Sequence, residues 1–344
     1  MQHSSFAKRT NVLFLLLFTL ILGFTACQKD ALVENPAISS ANGVASSRSS
    51  GTIVDIAVSN PDFSTLVAAV LKADLAEFLS RDNLNATVFA PNNAAFAALP
   101  APFNNAQNIS NISDPGQIKT LGQILRYHVA PGARTAAQLA NGAYKTFKTA
   151  ATPNSNMLYV GRDVAGGVFI NGNTKVIAAD VLADNGVIHV IDKVLFFPTQ
   201  DVTQIALKNN FTALTAALKK TGLANVFMSP TTNATVFAPT DAAFAALPAP
   251  LNNADNIKSI TDPATINTLR NVLRYHVVGG RVFSADLRNN ITVPTLLAGK
   301  SLNISLASGA MVKGDGNAMG SNIVLTDLLA LNGVVHVIDQ VLLP

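Results

Sequence analysis

Tryptophan is absent from this 344-residue chain, and cysteine occurs once. A single cysteine forms no internal disulfide, so any fold must be held by its core. Aromatic residues make up 6%, which argues against a strong sugar-stacking cleft. Charged residues are scarce at 13%, against 49% hydrophobic residues. Such a chain buries real cores and is not disordered. The net charge is +4 and the pI about 9.2, but Lys and Arg are scattered, with no basic stripe interleaved with aromatics. That pattern implies a mildly positive surface and excludes nucleic acid as a partner.

Catalytic signatures are missing as well. There is no Gly-x-Ser-x-Gly elbow, no phosphate-binding loop and no dinucleotide fingerprint. The few carboxylates form no evident acid–base pair. Asp184 and Asp315 lie in turns with Gly and Asn, which is ordinary turn chemistry. Gly314-Asp315-Gly316-Asn317 lacks the further oxygen ligands and closing Glu of a calcium loop. The chain is therefore expected to be no enzyme and to carry no metal or cofactor.

What is present begins at the N-terminus. Lys8 and Arg9 precede an apolar run from Val12 to Leu22, shorter than the roughly 20 residues that span a bilayer. Small residues follow, as in a cleaved signal peptide over residues 1–26. The lone cysteine sits where this leader ends, in Phe24-Thr25-Ala26-Cys27. That segment resembles a bacterial lipobox, which implies that Cys27 becomes the lipidated first residue of the mature chain. Several acyl chains on one residue anchor stably where one does not. Gln28-Lys29-Asp30 resembles the export tag of surface lipoproteins in Bacteroidetes-type bacteria. The stretch to about Gly51 is rich in Ser, Ala, Asn and Gly and reads as a flexible tether over 27–51. The expected location is the cell envelope, lipid-anchored, at the outer membrane and exposed on the surface.

Beyond the tether the chain repeats itself. Thr87-Val88-Phe89-Ala90-Pro91 returns as Thr235 to Pro239, and Ala94 to Pro100 as Ala242 to Pro248. Leu125-Arg126-Tyr127-His128-Val129 returns as Leu273 to Val277, and Asn185 to Asp192 as Asn332 to Asp339. Order and spacing are kept throughout, over a period far longer than a solenoid unit. Each copy is therefore a complete domain, spanning 52–198 and 200–344.

Within a copy, Phe63, Leu66, Val67, Val70, Leu71 and Leu75 fall at helical spacing, as do Phe211, Leu214, Ala217, Leu218 and Leu223. Thr87 to Ala90 reads as a strand. Asn92 and Thr240 cap the helices Ala94 to Leu99 and Ala242 to Leu247. Asp114-Pro115 and Asp262-Pro263 read as an N-cap followed by Pro at the first helical position, opening helices that run into Leu125 and Leu273. Strands then follow at Leu158 to Val160, Val168 to Asn171, Lys175 to Ala178 and Val187 to Phe196. Helices in the first half and strands in the second make an α+β domain. His128, His189, His276 and His336 stand among apolar neighbours without the spacing of metal ligands. They are expected to be buried, with ring nitrogens satisfied by backbone or side chains.

These blocks resemble the fasciclin family. Thr235 to Phe244 is similar to its first signature, Leu125 to Val129 and Leu273 to Val277 to its Tyr-His block, and Asn185 to Asp192 and Asn332 to Asp339 to its closing block. Domain 1 has Asn92-Asn93 where domain 2 has Thr240-Asp241, so any role of the Asp241 charge is absent from domain 1. The resemblance implies two tandem wedges of β-strands, each with helices along one side, and adhesion to extracellular matrix, a cell-surface protein or a glycan. It further implies an interaction motif at Asp180-Val181 and Asp327-Leu328, together with Tyr127-His128 and Tyr275-His276. The bland alternative for Asp180 and Asp327 is a solvated Asp at a strand edge. Other roles that remain open are a structural envelope component and an accessory protein capturing a small ligand or glycan.

Overall fold

The computed structural model describes residues 51–229 and 232–344; the leader, Cys27 and the tether lie outside the described residues. Domain 1 contains helices α1 (Ile53–Ser59), α2 (Ser64–Lys72) and α3 (Ala76–Leu79), strand β1 (Ala86–Pro91), and helices α4 (Asn93–Ala97), α5 (Ala106–Ser110) and α6 (Pro115–Tyr127). Strands β2 (Val129–Pro131), β3 (Gly142–Lys145), β4 (Met157–Arg162), β5 (Val168–Ile170), β6 (Thr174–Ala183) and β7 (Gly186–Ile191) follow.

Domain 2 repeats the plan with helices α7 (Val202–Lys208), α8 (Thr212–Thr221) and α9 (Ala224–Met228), strand β8 (Ala234–Pro239), and helices α10 (Asp241–Ala245), α11 (Ala254–Ser259) and α12 (Pro263–Tyr275). Strands β9 (Val277–Gly279), β10 (Ile291–Pro294), β11 (Ser301–Ser305), β12 (Met311–Lys313), β13 (Ser321–Ala330) and β14 (Gly333–Ile338) complete it. No single helix among the described residues is long and apolar enough to cross a membrane.

The sequence signals act locally as expected. Asp114 Oδ1 accepts from the Gly116 N–H at 2.9 Å, and Pro115 opens α6. Asn92 and Thr240 cap α4 and α10. The apolar period from Phe63 to Leu75 spans two helices rather than one. α2 ends at Lys72, and Asp74 takes φ 54°, a left-handed conformation that breaks the helix. The last expected strand is shorter than its apolar run: β7 ends at Ile191. β3, exposed along most of its length, gives no alternation to read and was not anticipated.

Each domain holds one seven-stranded sheet, in the order β2-β1-β7-β6-β5-β4-β3 for domain 1. β1 pairs in parallel with β7, Phe89 opposite His189. All six residues of β1 are buried, as a parallel strand covered on both faces requires. Val88, Ala90 and Ile188 face a core built from α1 to α6. Phe89, Tyr127, Leu158, Val160 and Ile170 form a second core against β4 and β5. β6 carries two register shifts between Val176 and Val181, the bulges that bend a strand around such a wedge.

The closing Asn-Gly pair ties the first helix to this sheet. Asn185 Oδ1 accepts from the Ile53 N–H at 2.9 Å, and its amide donates to the Leu79 and Arg81 carbonyls. Asn332 does the same for Val202, Phe227 and Ser229. A Cβ on Gly186 or Gly333 would stand 2.3 Å from the carbonyl oxygen of Ala86 or Ala234, so only glycine admits the neighbouring strand.

The Asp241 charge has a structural task. Its carboxylate accepts from the Ala213 N–H at 2.9 Å and the Thr212 N–H at 3.2 Å, capping α8. In domain 1 the neutral Asn93 fills this place, accepting from the Thr65 N–H at 2.9 Å. Replacing Asp241 by Ala is expected to cost about 1 kcal/mol, read as a lower urea midpoint. Asp241→Asn should recover most of it; equal loss in both variants would rule out the neutral cap as an equivalent.

Candidate functional site

The histidines behave as internal ties. His128 ends α6, its Nδ1 2.8 Å from the Ile124 carbonyl oxygen, while Nε2 accepts from the Leu195 N–H at 2.9 Å. His276 repeats this with Val272 and Leu342. These partners put the proton on Nδ1 and leave the ring neutral. Burial pushes both rings down to about 4, because the charged form loses its solvation. His189 has the opposite tautomer: Nε2 donates to the Arg134 carbonyl at 2.9 Å, and Nδ1 accepts from the Asp180 N–H at 3.3 Å. His336 makes the matching bonds to Val282 and Asp327. Burial holds both of these below the usual imidazole range.

The structure corrects the expected interaction motif. Tyr127 and Tyr275 are fully buried, donating to the Met157 and Ser301 carbonyls at 2.7 Å. His128 and His276 are buried too, so no partner of the folded domain touches these four side chains. Val181 and Leu328 are partly buried and pack on the helix-side cores. Asp180 and Asp327 each occupy a bulge with positive φ, and neither is a freely solvated strand-edge carboxylate. Asp180 accepts from the Ala136 N–H at 2.6 Å and keeps a side chain 33% exposed. Asp327 is 6% exposed and accepts from both the N–H and the hydroxyl of Ser284.

The difference between the two Asp residues comes from contact between the domains. Gly172 of domain 1, at φ 85°, lies against Asp327 and Phe283 so closely that a Cβ would fall 2.5 Å from the Asp327 Cγ. The Phe283 ring packs on Tyr159 with centroids 5.6 Å apart. The Arg281 guanidinium lies 4.7 Å from the Tyr159 ring centroid and donates to Asn233 Oδ1 and the Leu331 carbonyl. Arg288 donates to the Arg162 carbonyl at 2.9 Å, and Asn154 to the Leu331 carbonyl at 2.9 Å. The matching domain 1 positions hold Ala133, Thr135 and Ala140 in place of Arg281, Phe283 and Arg288. Arg281, Phe283 and Arg288 thus have no counterpart in domain 1. The mismatch between copies at these positions was the sequence signal that could have found them.

What stays exposed beside the bulges is aliphatic. Ile177 is 50% exposed and is followed by exposed Ala178 and Ala179; Val324 and Leu325 stand at the corresponding part of β13. These residues flank the expected motif without belonging to it; within the motif the Asp180 side chain stays partly reachable and the Tyr-His pairs do not. Among the described residues no group of three or more His, Cys, Asp or Glu is placed to hold a metal ion.

Two wedges built on one plan, with their histidines used as internal ties, define a tandem two-domain α+β architecture. A family model described as Fasciclin domain matches residues 61–198 and again 209–344, and the chain belongs to this family. The domains begin earlier than those matches, because α1 and α7 are tied in by Asn185 and Asn332. Protein sll1483 of Synechocystis is 42% identical over 184 residues, covering 53% of this chain and 94% of that protein. Transforming growth factor-beta-induced protein ig-h3 of Sus scrofa is 31% identical over 259 residues, which is 75% of this chain and 34% of that protein; the chain thus spans about a third of it. A solved fasciclin domain pair from the insect cell adhesion molecule Fasciclin I is 19% identical, covers 83% of this chain and 98% of that one, and has a TM-score of 0.39.

Proposed function

We propose that this protein is a surface-exposed adhesion lipoprotein, anchored to the outer membrane through Cys27, whose two fasciclin domains bind matrix, a cell-surface protein or a glycan. The observation that carries the reading is the exposed aliphatic strip Ile177-Ala178-Ala179 beside the half-open Asp180 of domain 1. An apolar strip held on a bent, twice-bulged strand is a contact surface rather than a core element. The same bulge in domain 2 has its Asp327 covered by domain 1. Domain 1 thus offers the strip together with a reachable carboxylate, and domain 2 offers the strip Val324-Leu325 alone. Membership in a family with adhesion molecules among its relatives supports the class of function.

Ile177→Asp should reduce attachment of cells to a matrix-coated surface by about tenfold, since it puts a charge in a dry contact, while leaving the melting temperature nearly unchanged. Cys27→Ala should release the protein from the membrane fraction. Attachment that survives Ile177→Asp in full would sink the contact surface. Resistance to protease shaving of intact cells would instead favour a structural role inside the envelope.

A further inference from the structure

The two domains share their cores and differ on one helical face. Domain 1 presents Ser59, Val67, Leu71 and Ser110 there; domain 2 has Lys208, Thr215, Lys219 and Lys258 at the matching positions. Lys220 keeps the role of Lys72: each donates to a carbonyl of the facing short helix, Lys258 at 2.8 Å and Ser110 at 2.9 Å. In domain 2 this face forms an open groove of about 520 Å³. Its apolar lining includes Leu207, Phe211, Ala216 and Ala254, and its basic lining is Lys219, Lys220 and Lys258. Among the described residues only Lys258 of these three has a carboxylate partner, Asp255 at 2.9 Å.

Thr215 supplies a second, independent observation. It lines the groove, is 9% exposed, and its hydroxyl has no hydrogen-bond partner among the described residues. The matching Val67 has the same shape without a hydroxyl. Thr in place of Val is not neutral in a buried site, because an unmet hydroxyl is costly. An incoming polar group offsets that cost.

The chemistry of the occupant follows from the lining. Lysines bring point charges without the planar fork that arginine offers a single phosphate. Spread along an open groove with apolar side chains between them, they suit a polymer with repeated carboxylates and apolar C–H faces. We propose that this groove binds an acidic polysaccharide, with its carboxylates among Lys219, Lys220 and Lys258 and a sugar hydroxyl meeting Thr215. This adds a second site, in domain 2, to the aliphatic contact of domain 1.

The test uses the full chain in detergent micelles and polygalacturonic acid as probe, with neutral dextran and phosphatidylglycerol vesicles in parallel. Binding should favour polygalacturonate and weaken with salt. The double variant Lys219→Leu/Lys258→Ser, which restores the domain 1 residues, should bind about tenfold more weakly. Lys145→Ser/Lys175→Ser removes the same charge from domain 1 and should bind unchanged. Thr215→Val should weaken binding about threefold without lowering the melting temperature, which separates recognition from folding. No binding to polygalacturonate overturns the proposal, as does equal loss in both double variants, equal binding to dextran, or binding to vesicles alone. Ile177→Asp should leave this binding intact, so failure of the domain 1 contact and failure of the groove are read separately.

Discussion

Between pH 6.5 and pH 4 this protein should lose most of its stability. His128 and His276 are pushed down to about 4 by burial, from an ordinary 6.5. In that interval the unfolded chain takes up protons that the folded chain refuses, so acid favours unfolding. The stabilisation is complete above pH 6.5 and is lost as pH falls towards 4. Each of these two rings contributes about 3 kcal/mol on this reasoning. His189 and His336 are lowered in the same direction, also first by burial. Domains are stable by only about 5–15 kcal/mol. Melting temperatures should therefore fall by on the order of 10 °C or more between pH 7 and pH 4.5. The carboxylates held low by hydrogen bonds, Asp55, Asp262 and Asp339, act in a separate and more acidic window. His128→Ala should cost about 3–5 kcal/mol at pH 7, because it opens a cavity and strands the Leu195 N–H and the Ile124 carbonyl. A melting temperature that stays flat from pH 7 to 4.5 would refute the neutral-histidine account.

Breaking the grip between the domains should have the second largest effect. Gly172→Val places a β-branched side chain at φ 85° and within 2.5 Å of the Asp327 Cγ, so the loop must leave its seat. Arg281→Ala removes the contact with Tyr159, about 0.5–2 kcal/mol of coupling, together with two hydrogen bonds inside domain 2 that hold the guanidinium in place. A single unfolding transition should split into two, and the radius of gyration measured by X-ray scattering should grow. With the grip released, Asp327 gains exposure and domain 1 loses its fixed orientation. If Gly172→Val melts in one step at the wild-type temperature, with unchanged scattering, the domains are not coupled through this contact.

Several elements were legible from residues a few positions apart. Caps such as Asp114-Pro115 and Asn92 act through neighbours on their own chain, so their spacing reveals them. The buried histidines were readable from their apolar surroundings, and the duplication from blocks that return in the same order at nearly the same spacing. The break of the first helix pattern at Asp74 was not, because apolar period continues across a residue that turns left-handed. Nor was β3, whose exposed side chains carry no burial signal.

The sequence by itself determined that there are two α+β domains, where their helices start, and which family they belong to; local spacing and repetition carry that information. Only the tertiary structure decided that Tyr127, His128, Tyr275 and His276 are interior, that Asp327 is covered while Asp180 stays half open, and that Lys219, Lys258 and Thr215 share one groove. Each of these depends on residues tens to more than a hundred positions apart meeting in space. Burial and contact of that kind follow from how strands pair and domains dock, and no short-range pattern encodes them.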